Sequence, residues 1–311
     1  MRIDFVKMHG LGNDFIVIEL PGGMALPSAR QWRALADRHT GIGFDQALVV
    51  LPPRRAGTDA FYRVFNGDGG EVEQCGNGAR CVAALLARGG PGSSATLTLD
   101  SAAGLVAARV LTDGRVSVEM GTPDFDPASL PYEAASPSRR YVLAVGDETV
   151  EFGAVSLGNP HAVLQVAAVE AAPVQRIGRA LQANPRFPRQ VNVGFMQVLD
   201  TGHIRLRVFE RGAAETRACG TGACAAAVIG YSLGLLSSDV EVQMPGGILQ
   251  VHWDGPDRPV WLTGPAQQVF EGRLELPEAE PLQPPGTQPP AGREPATAVR
   301  TRVDQAMGES R

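Results

Sequence analysis

The sequence predicts an α+β chain made of two pseudo-symmetric domains, each a curved, mostly antiparallel or mixed sheet wrapped around a central helix. Three observations predict this: an internal repeat, many short strands with few helices between them, and two Ala-rich segments that are apolar nearly all round. The repeat weighs most. Arg63-Val64-Phe65-Asn66 leading to Cys75-Gly76-Asn77-Gly78-Ala79 returns as Arg207-Val208-Phe209-Glu210 leading to Cys219-Gly220-Thr221-Gly222-Ala223, at a constant offset of 144 residues. Eight of the 17 aligned positions are identical, where average composition gives roughly one. Duplication explains this better than chance. Upstream, Leu11-Gly12-Asn13 returns as Leu157-Gly158-Asn159 at an offset of 146, and Gln46 and Asn192 are separated by the same interval.

Taken in order, residues 3–20 read as two strands around the Gly-rich turn that holds Asn13. Residues 28–39 read as a helix capped by Ser28, followed by a turn through Gln46 into a Leu/Val strand. Phe61 to Phe65 is a strand, and Ala79 to Ala87 a helix opened by the Cys75 frame. Residues 96–120 alternate as strands, and Gly121 to Pro137 is a Pro-rich connector that marks the boundary between halves. Strands resume at 141–145, 149–155 and 162–166, a helix follows at 174–183, and a turn carries Asn192. Ile204 to Phe209 is a strand and Ala223 to Leu233 the second buried helix, with closing strands at 240–244, 248–253 and 260–263. The domain reading is 1–121 with 264–276 returning to it, then 122–263. The Pro-, Gln- and Arg-rich stretch 277–311 is expected to be a disordered tail.

Composition narrows the function. A net charge of −5 argues against nucleic acid or an anionic membrane as partner. No 18-residue apolar run is present and the N-terminus lacks a signal-peptide pattern, so a reducing cytoplasm is the expected setting. The four cysteines, Cys75, Cys81, Cys219 and Cys224, are spaced six and five residues apart within each pair. They lack the C-x-x-C spacing of structural zinc or redox sites, so no metal is expected and Cys81 and Cys224 read as helix packing residues.

Cys75 and Cys219 are different. Each lies at or just before a helix N-terminus, where free N–H groups and the helix dipole favour an anion and a reactive thiolate. The adjacent glycines are expected to let backbone approach a ligand. Two such ends in equivalent halves suggest one carboxylate held between two thiols, a geometry suited to taking a proton from one face of a carbon and returning it to the other. The amide-bearing residues before each Cys frame can hold both an ammonium and a carboxylate.

Several separated motifs point one way: His9-Gly10-Leu11-Gly12-Asn13-Asp14-Phe15, Gly41-Ile42-Gly43-Phe44-Asp45-Gln46, Phe65-Asn66, both Cys frames, Gly158-Asn159-Pro160-His161-Ala162, Val191-Asn192-Val193 and Glu210-Arg211-Gly212. Over residues 1 to about 275 the chain resembles the diaminopimelate epimerase family. The resemblance implies interconversion of LL- and meso-2,6-diaminopimelate in lysine and peptidoglycan precursor synthesis, with no pyridoxal phosphate or metal, by a cytoplasmic homodimer. By motif position, Cys75 and Cys219 are implied as the acid/base pair. Gly76, Asn77, Gly220 and Thr221 are implied as N–H donors to the reacting carboxylate. Asn13, Gln46, Asn66, Asn159, Asn192, Glu210 and Arg211 would hold the rest of the substrate, and His161 and Glu210 would tune the thiols.

Because the repeat is broken at Asn66/Glu210 and Gly67/Arg211, Arg211 is expected to take the remote carboxylate and Glu210 the remote ammonium. A proline racemase-like or hydroxyproline epimerase-like enzyme is the alternative. Asn77 and Arg211 argue against it, because those families typically carry His after the first Cys-Gly and need no remote Arg. A non-catalytic or thiol-redox protein of the same fold is disfavoured by the presence of both cysteines.

Overall fold

The repeat read from the sequence is a repeat of hydrogen-bond registers. The computed structural model describes residues 2–72, 75–87, 94–130, 132–134, 136, 138–146 and 148–275; the stretch 277–311 lies outside them. The first half runs β1 (Arg2–Gly10), β2 (Asn13–Glu19), α1 (Ala29–Ala36), β3 (Gln46–Leu51), β4 (Ala60–Asn66), β5 (Glu71–Val72), α2 (Gly76–Ala87), β6 (Ala95–Ser101), β7 (Gly104–Val110) and β8 (Val116–Glu119). The second runs β9 (Tyr141–Val145), β10 (Glu148–Ser156), β11 (Pro160–Gln165), α3 (Val174–Gln182), β12 (Asn192–Asp200), β13 (His203–Glu210), β14 (Ala214–Thr216), α4 (Gly220–Ser232), β15 (Asp239–Met244), β16 (Gly247–His252) and β17 (Trp261–Gly264). The last strand, β18 (Gln267–Glu275), pairs antiparallel with β1, so the described chain ends in the first half.

Each half is a mixed sheet, and the pairings match. Parallel β2–β3 aligns Phe15 with Gln46, and parallel β11–β12 aligns His161 with Asn192. Parallel β4–β6 has its counterpart in β13–β15. Strand β18 lies beside β1 as β9 lies beside β10. The conserved polar residues of the repeat are explained here. Arg63 grips Glu71 through two hydrogen bonds of 2.7 and 2.6 Å, and Arg207 grips Glu215 through two of 2.6 and 3.0 Å. Each pair pins the short strand that leads into a Cys helix.

Helices cover both faces of each sheet. On the outer face, α1 begins with a capping box between Ser28 and Gln31 and buries Trp32 and Leu35. Trp32 stacks on Phe65 at 5.4 Å between ring centres. The counterpart α3 buries Val174, Ile177 and Leu181 among the aromatics of the second half. On the inner face lie α2 and α4. Ten residues of α4 are buried, because the helix has no polar side to turn outward. Both inner helices share one continuous apolar core, and Cys81 and Cys224 are fully buried in it. The halves are further joined where β8 pairs with β17, from Glu119 opposite Trp261 to Val116 opposite Gly264.

Two sequence readings are refined. Residues 267–275, expected only to return to the first half, form β18, and the turn assigned to Asn192 is the first residue of a nine-residue strand. Gln46 likewise opens β3. The amides that precede the Cys frames are therefore held on strand ends, where ladder hydrogen bonds fix the backbone.

Candidate active site

Both Cys helices start one residue after the cysteine. Cys219 is the N-cap of α4 in an extended conformation, and its Sγ accepts the Gly222 N–H at 3.3 Å. On α2 the N–H groups of Gly78 and Asn77 favour negative charge on the Cys75 sulfur. Two helix N-termini thus present their free donors beside two sulfurs.

The glycines of the frames also have a packing reason. None of Gly76, Gly78, Gly220 or Gly222 has positive φ. A Cβ on Gly78 would stand 2.8 Å from Leu48 Cδ2, and one on Gly222 would stand 2.9 Å from Val208 Cγ2 and 3.1 Å from the Cys219 sulfur. The small residue lets each helix end sit tight on its sheet, and the packing aims the sulfur.

A cleft of about 1640 Å³ opens between the halves. It is lined by Cys75 and Cys219, by Gly76, Asn77, Gly220 and Thr221, and by Asn13, Gln46, Asn66, Asn159, Asn192, Glu210 and Arg211. Of the expected site residues only His161 stays off the surface. It is fully buried behind Asn159, whose Oδ1 lies 3.0 Å from His161 Nε2.

The polar groups form two relays. In the first half, Asn77 Nδ2 donates to Asn13 Oδ1 at 3.2 Å, and that oxygen lies 3.9 Å from the Cys75 sulfur. Gln46 Nε2 donates to Asn66 Oδ1 at 2.9 Å. In the second half, Asn159 Nδ2 donates to Thr221 Oγ1 at 3.2 Å, which lies 3.6 Å from the Cys219 sulfur. Asn192 accepts the Arg211 N–H at 2.8 Å and donates to the Pro160 carbonyl at 3.1 Å. The Arg211 guanidinium is exposed and donates to the Arg189 carbonyl at 3.3 Å.

Burial pushes the Cys75 thiol up, while the Gly78 N–H, the Arg80 charge and the Asn77 N–H pull it back. Burial pushes Cys219 well above the usual thiol range, and the Glu210 carboxylate, which accepts its proton in a hydrogen bond, adds to the rise. Glu210 is itself raised by burial and held by the Thr216 hydroxyl and Cys219. Its carboxyl therefore already serves the second thiol. A role at the remote ammonium requires the same carboxylate to serve both groups. Burial, and secondarily the Arg211 charge, depress His161 to about 3, so its ring is neutral.

Diaminopimelate epimerase is the description of the family model that matches residues 5–125 and 153–269. The chain belongs to the diaminopimelate epimerase family. The diaminopimelate epimerase of Nitrosomonas eutropha is 52% identical over 279 residues, covering 89% of this chain and 100% of that one. That of Azoarcus sp. is 53% identical over 277 residues, with the same coverage of 89% and 100%. Among solved structures, a hydroxyproline epimerase from Agrobacterium vitis with bound trans-4-hydroxy-L-proline aligns with a TM-score of 0.63 at 18% identity, covering 88% of this chain and 92% of that one. A phenazine biosynthesis protein from Bacillus anthracis aligns with a TM-score of 0.61 at 15% identity, covering 89% and 100%. At these identities the likeness shows the shared fold alone.

Within this family framework, two groups stand out that sequence reasoning left without a role. Asp14 lies between Lys7 and Arg38, with Asp45 beside it. Burial alone would raise Asp14, but the Arg38 and Lys7 hydrogen bonds hold it well below the usual carboxylate range. Asp45 Oδ2 accepts from Asn13 Nδ2 at 3.0 Å, so this network orients the Asn13 amide. The other is Arg80, which is completely buried. Asp14 and Asp45 sit inside the Gly-rich motifs and Arg80 directly follows the first Cys frame, but a charge at such a place does not disclose whether it faces water or a thiol. Among the described residues no cluster of three His, Cys, Asp or Glu is placed to hold a metal ion, and no helix is long and apolar enough to cross a membrane.

Proposed function

We propose that this protein interconverts LL- and meso-2,6-diaminopimelate by two-cysteine acid/base catalysis. The observation that carries the reading is the pair of repeat-related thiols, each at a helix N-terminus, lining one cleft with the amide-bearing residues. The reacting α-carboxylate is held by the N–H groups of Gly76, Asn77, Gly220 and Thr221. One sulfur, as thiolate, takes the α-proton and becomes a thiol. The opposite thiol delivers its proton to the other face and becomes the thiolate. The negative charge that develops meanwhile spreads onto the carboxylate, where both helix dipoles and their N–H donors lower its energy.

Asn13, Gln46, Asn66, Asn159 and Asn192 position the substrate. Arg211 takes the remote carboxylate, and Glu210 is shared between the remote ammonium and Cys219. His161, neutral behind Asn159, orients that amide toward Thr221. The reading extends to a cytoplasmic homodimer, supported by the family resemblance and by four cysteines that are all unpaired. It also takes the halves as 1–121 with 264–276, and 122–263, supported by the β1–β18 pairing.

The test is deuterium uptake at the α-carbon in heavy water, with LL-diaminopimelate, L-lysine and L-proline compared. Uptake is expected with the first alone. Comparable uptake with proline transfers the assignment to a proline racemase-like activity.

A further inference from the structure

We propose that Arg80 is a positioning residue whose buried charge selects Cys75, and not Cys219, as the thiol that loses its proton in the free enzyme. This rests on the two-cysteine reading above.

Arg80 projects from α2 and has no exposed surface. Its Nη2 donates to Asn77 Oδ1 at 2.9 Å and its Nε to the Pro265 carbonyl at 3.4 Å, while Nη1 has no hydrogen-bond partner. Among the described residues the ionisable groups that act on it are three thiols, those of Cys75, Cys81 and Cys224. A buried guanidinium without a carboxylate is costly unless negative charge appears beside it. Cys81 and Cys224 are sealed in the apolar core, and burial pushes both up to about 12. Cys75 is the one of the three that lines the cleft, where a proton can leave.

Arg80 also sets the geometry at that sulfur. By holding Asn77 Oδ1 it turns the Asn77 amino group toward Asn13, and the Asn13 oxygen lies next to Cys75.

The duplication is broken in a consistent direction. The repeat partner of Arg80, 144 residues on, is Cys224, so α4 has no charge at that place. The repeat partner of Glu210 is Asn66, so the first half has no carboxylate there. One departure puts a cation near Cys75, and the other puts an anion against Cys219. Both separate the two thiols in the same sense. The remaining groups do not reverse it. Tyr62 and Cys81, which feel the charge of Cys75, are neutral and raised by burial, and Glu210 is the last of the influences on Cys75. Around Cys219 the Thr221 hydroxyl and Gly222 N–H are outweighed by burial and Glu210.

The experiment is alkylation of the full-length protein by iodoacetamide from pH 5 to 10, with each cysteine followed separately by peptide mass spectrometry. The midpoint of each pH profile reports that thiol regardless of its access. In wild type the Cys75 midpoint is expected to lie below that of Cys219. Arg80→Met should raise the Cys75 midpoint by about one pH unit, a roughly tenfold loss of thiolate near neutrality, and leave Cys219 unmoved. Arg80→Lys, which keeps the charge, should recover most of the difference. A wild-type profile in which Cys219 titrates first overturns the proposal without any variant, and so does an equal shift of both thiols in Arg80→Met. Epimerisation by Cys75→Ser and Cys219→Ser, followed as conversion of LL- to meso-diaminopimelate, separates the two levels: if either variant still epimerises, the two-cysteine reading fails whatever the alkylation order.

Discussion

His161 should make the protein acid-labile in a way that one substitution removes. Its ring is fully buried, its Nε2 lies against Asn159 Oδ1, and its Nδ1 has no partner to receive a second proton's charge. The folded ring titrates near 3, against about 6.5 for an exposed imidazole. Between these values the unfolded chain binds a proton that the folded protein refuses, so stability falls as the pH is lowered through that window. Above 6.5 the effect vanishes. Linkage puts the loss between pH 7 and pH 5 at about 2 kcal/mol. At pH 5 that figure depends almost entirely on the unfolded value, and it changes little for any folded pKa below about 4.

Carboxylates also titrate on the way down, so the useful quantity is a difference of differences. Urea unfolding at pH 7 and pH 5 is compared for wild type and His161→Gln, whose amide can still donate to Asn159. The variant should lose about 2 kcal/mol less than wild type over that interval. Equal losses in the two proteins would show that His161 can take its proton in place, and the picture of a sealed neutral ring would fail.

The other expectations follow from the same geometry. Cys75→Ser and Cys219→Ser should each reduce epimerisation to no more than a few per cent of wild type with circular dichroism unchanged, and substantial turnover by either contradicts the two-base assignment. Arg211→Met should lower kcat/KM for LL-diaminopimelate by about 2–5 kcal/mol of transition-state stabilisation, because a remote carboxylate is left unpaired; an unchanged value removes Arg211 from that role. Gly78→Ala should cost about 1–3 kcal/mol in urea unfolding, since the new Cβ would stand 2.8 Å from the fully buried Leu48. A neutral result there would mean that α2 can move off its sheet without cost.

The repeat, the strand-rich halves and the buried Cys helices were legible in the sequence because each is a local pattern. Arg63 and Glu71 align with Arg207 and Glu215 at a fixed interval, and period and composition mark the helices before any contact is known. The matched frames around Cys75 and Cys219 also exposed the candidate chemistry, since a glycine-flanked cysteine before an apolar helix has a limited set of physical uses. Strand β18 was not legible, because its nine residues alternate without a buried apolar face: Leu274 alone is fully buried, and the strand exists because the edge of β1 accepts it. The reason for Gly78 and Gly222 was likewise invisible, because Leu48 and Val208 reach them only after the sheets curl over the helices. Charge was the hardest property to read. Arg80 and Asp14 look like ordinary surface residues in a list of letters, and only the folded chain shows that Arg80 is sealed from water and that Asp14 is held by Lys7 and Arg38. The sequence alone determined that there would be two equivalent thiols. The tertiary structure decided that they are unlike, because burial and through-space charge act on what is near in space and take no account of what is near in the chain.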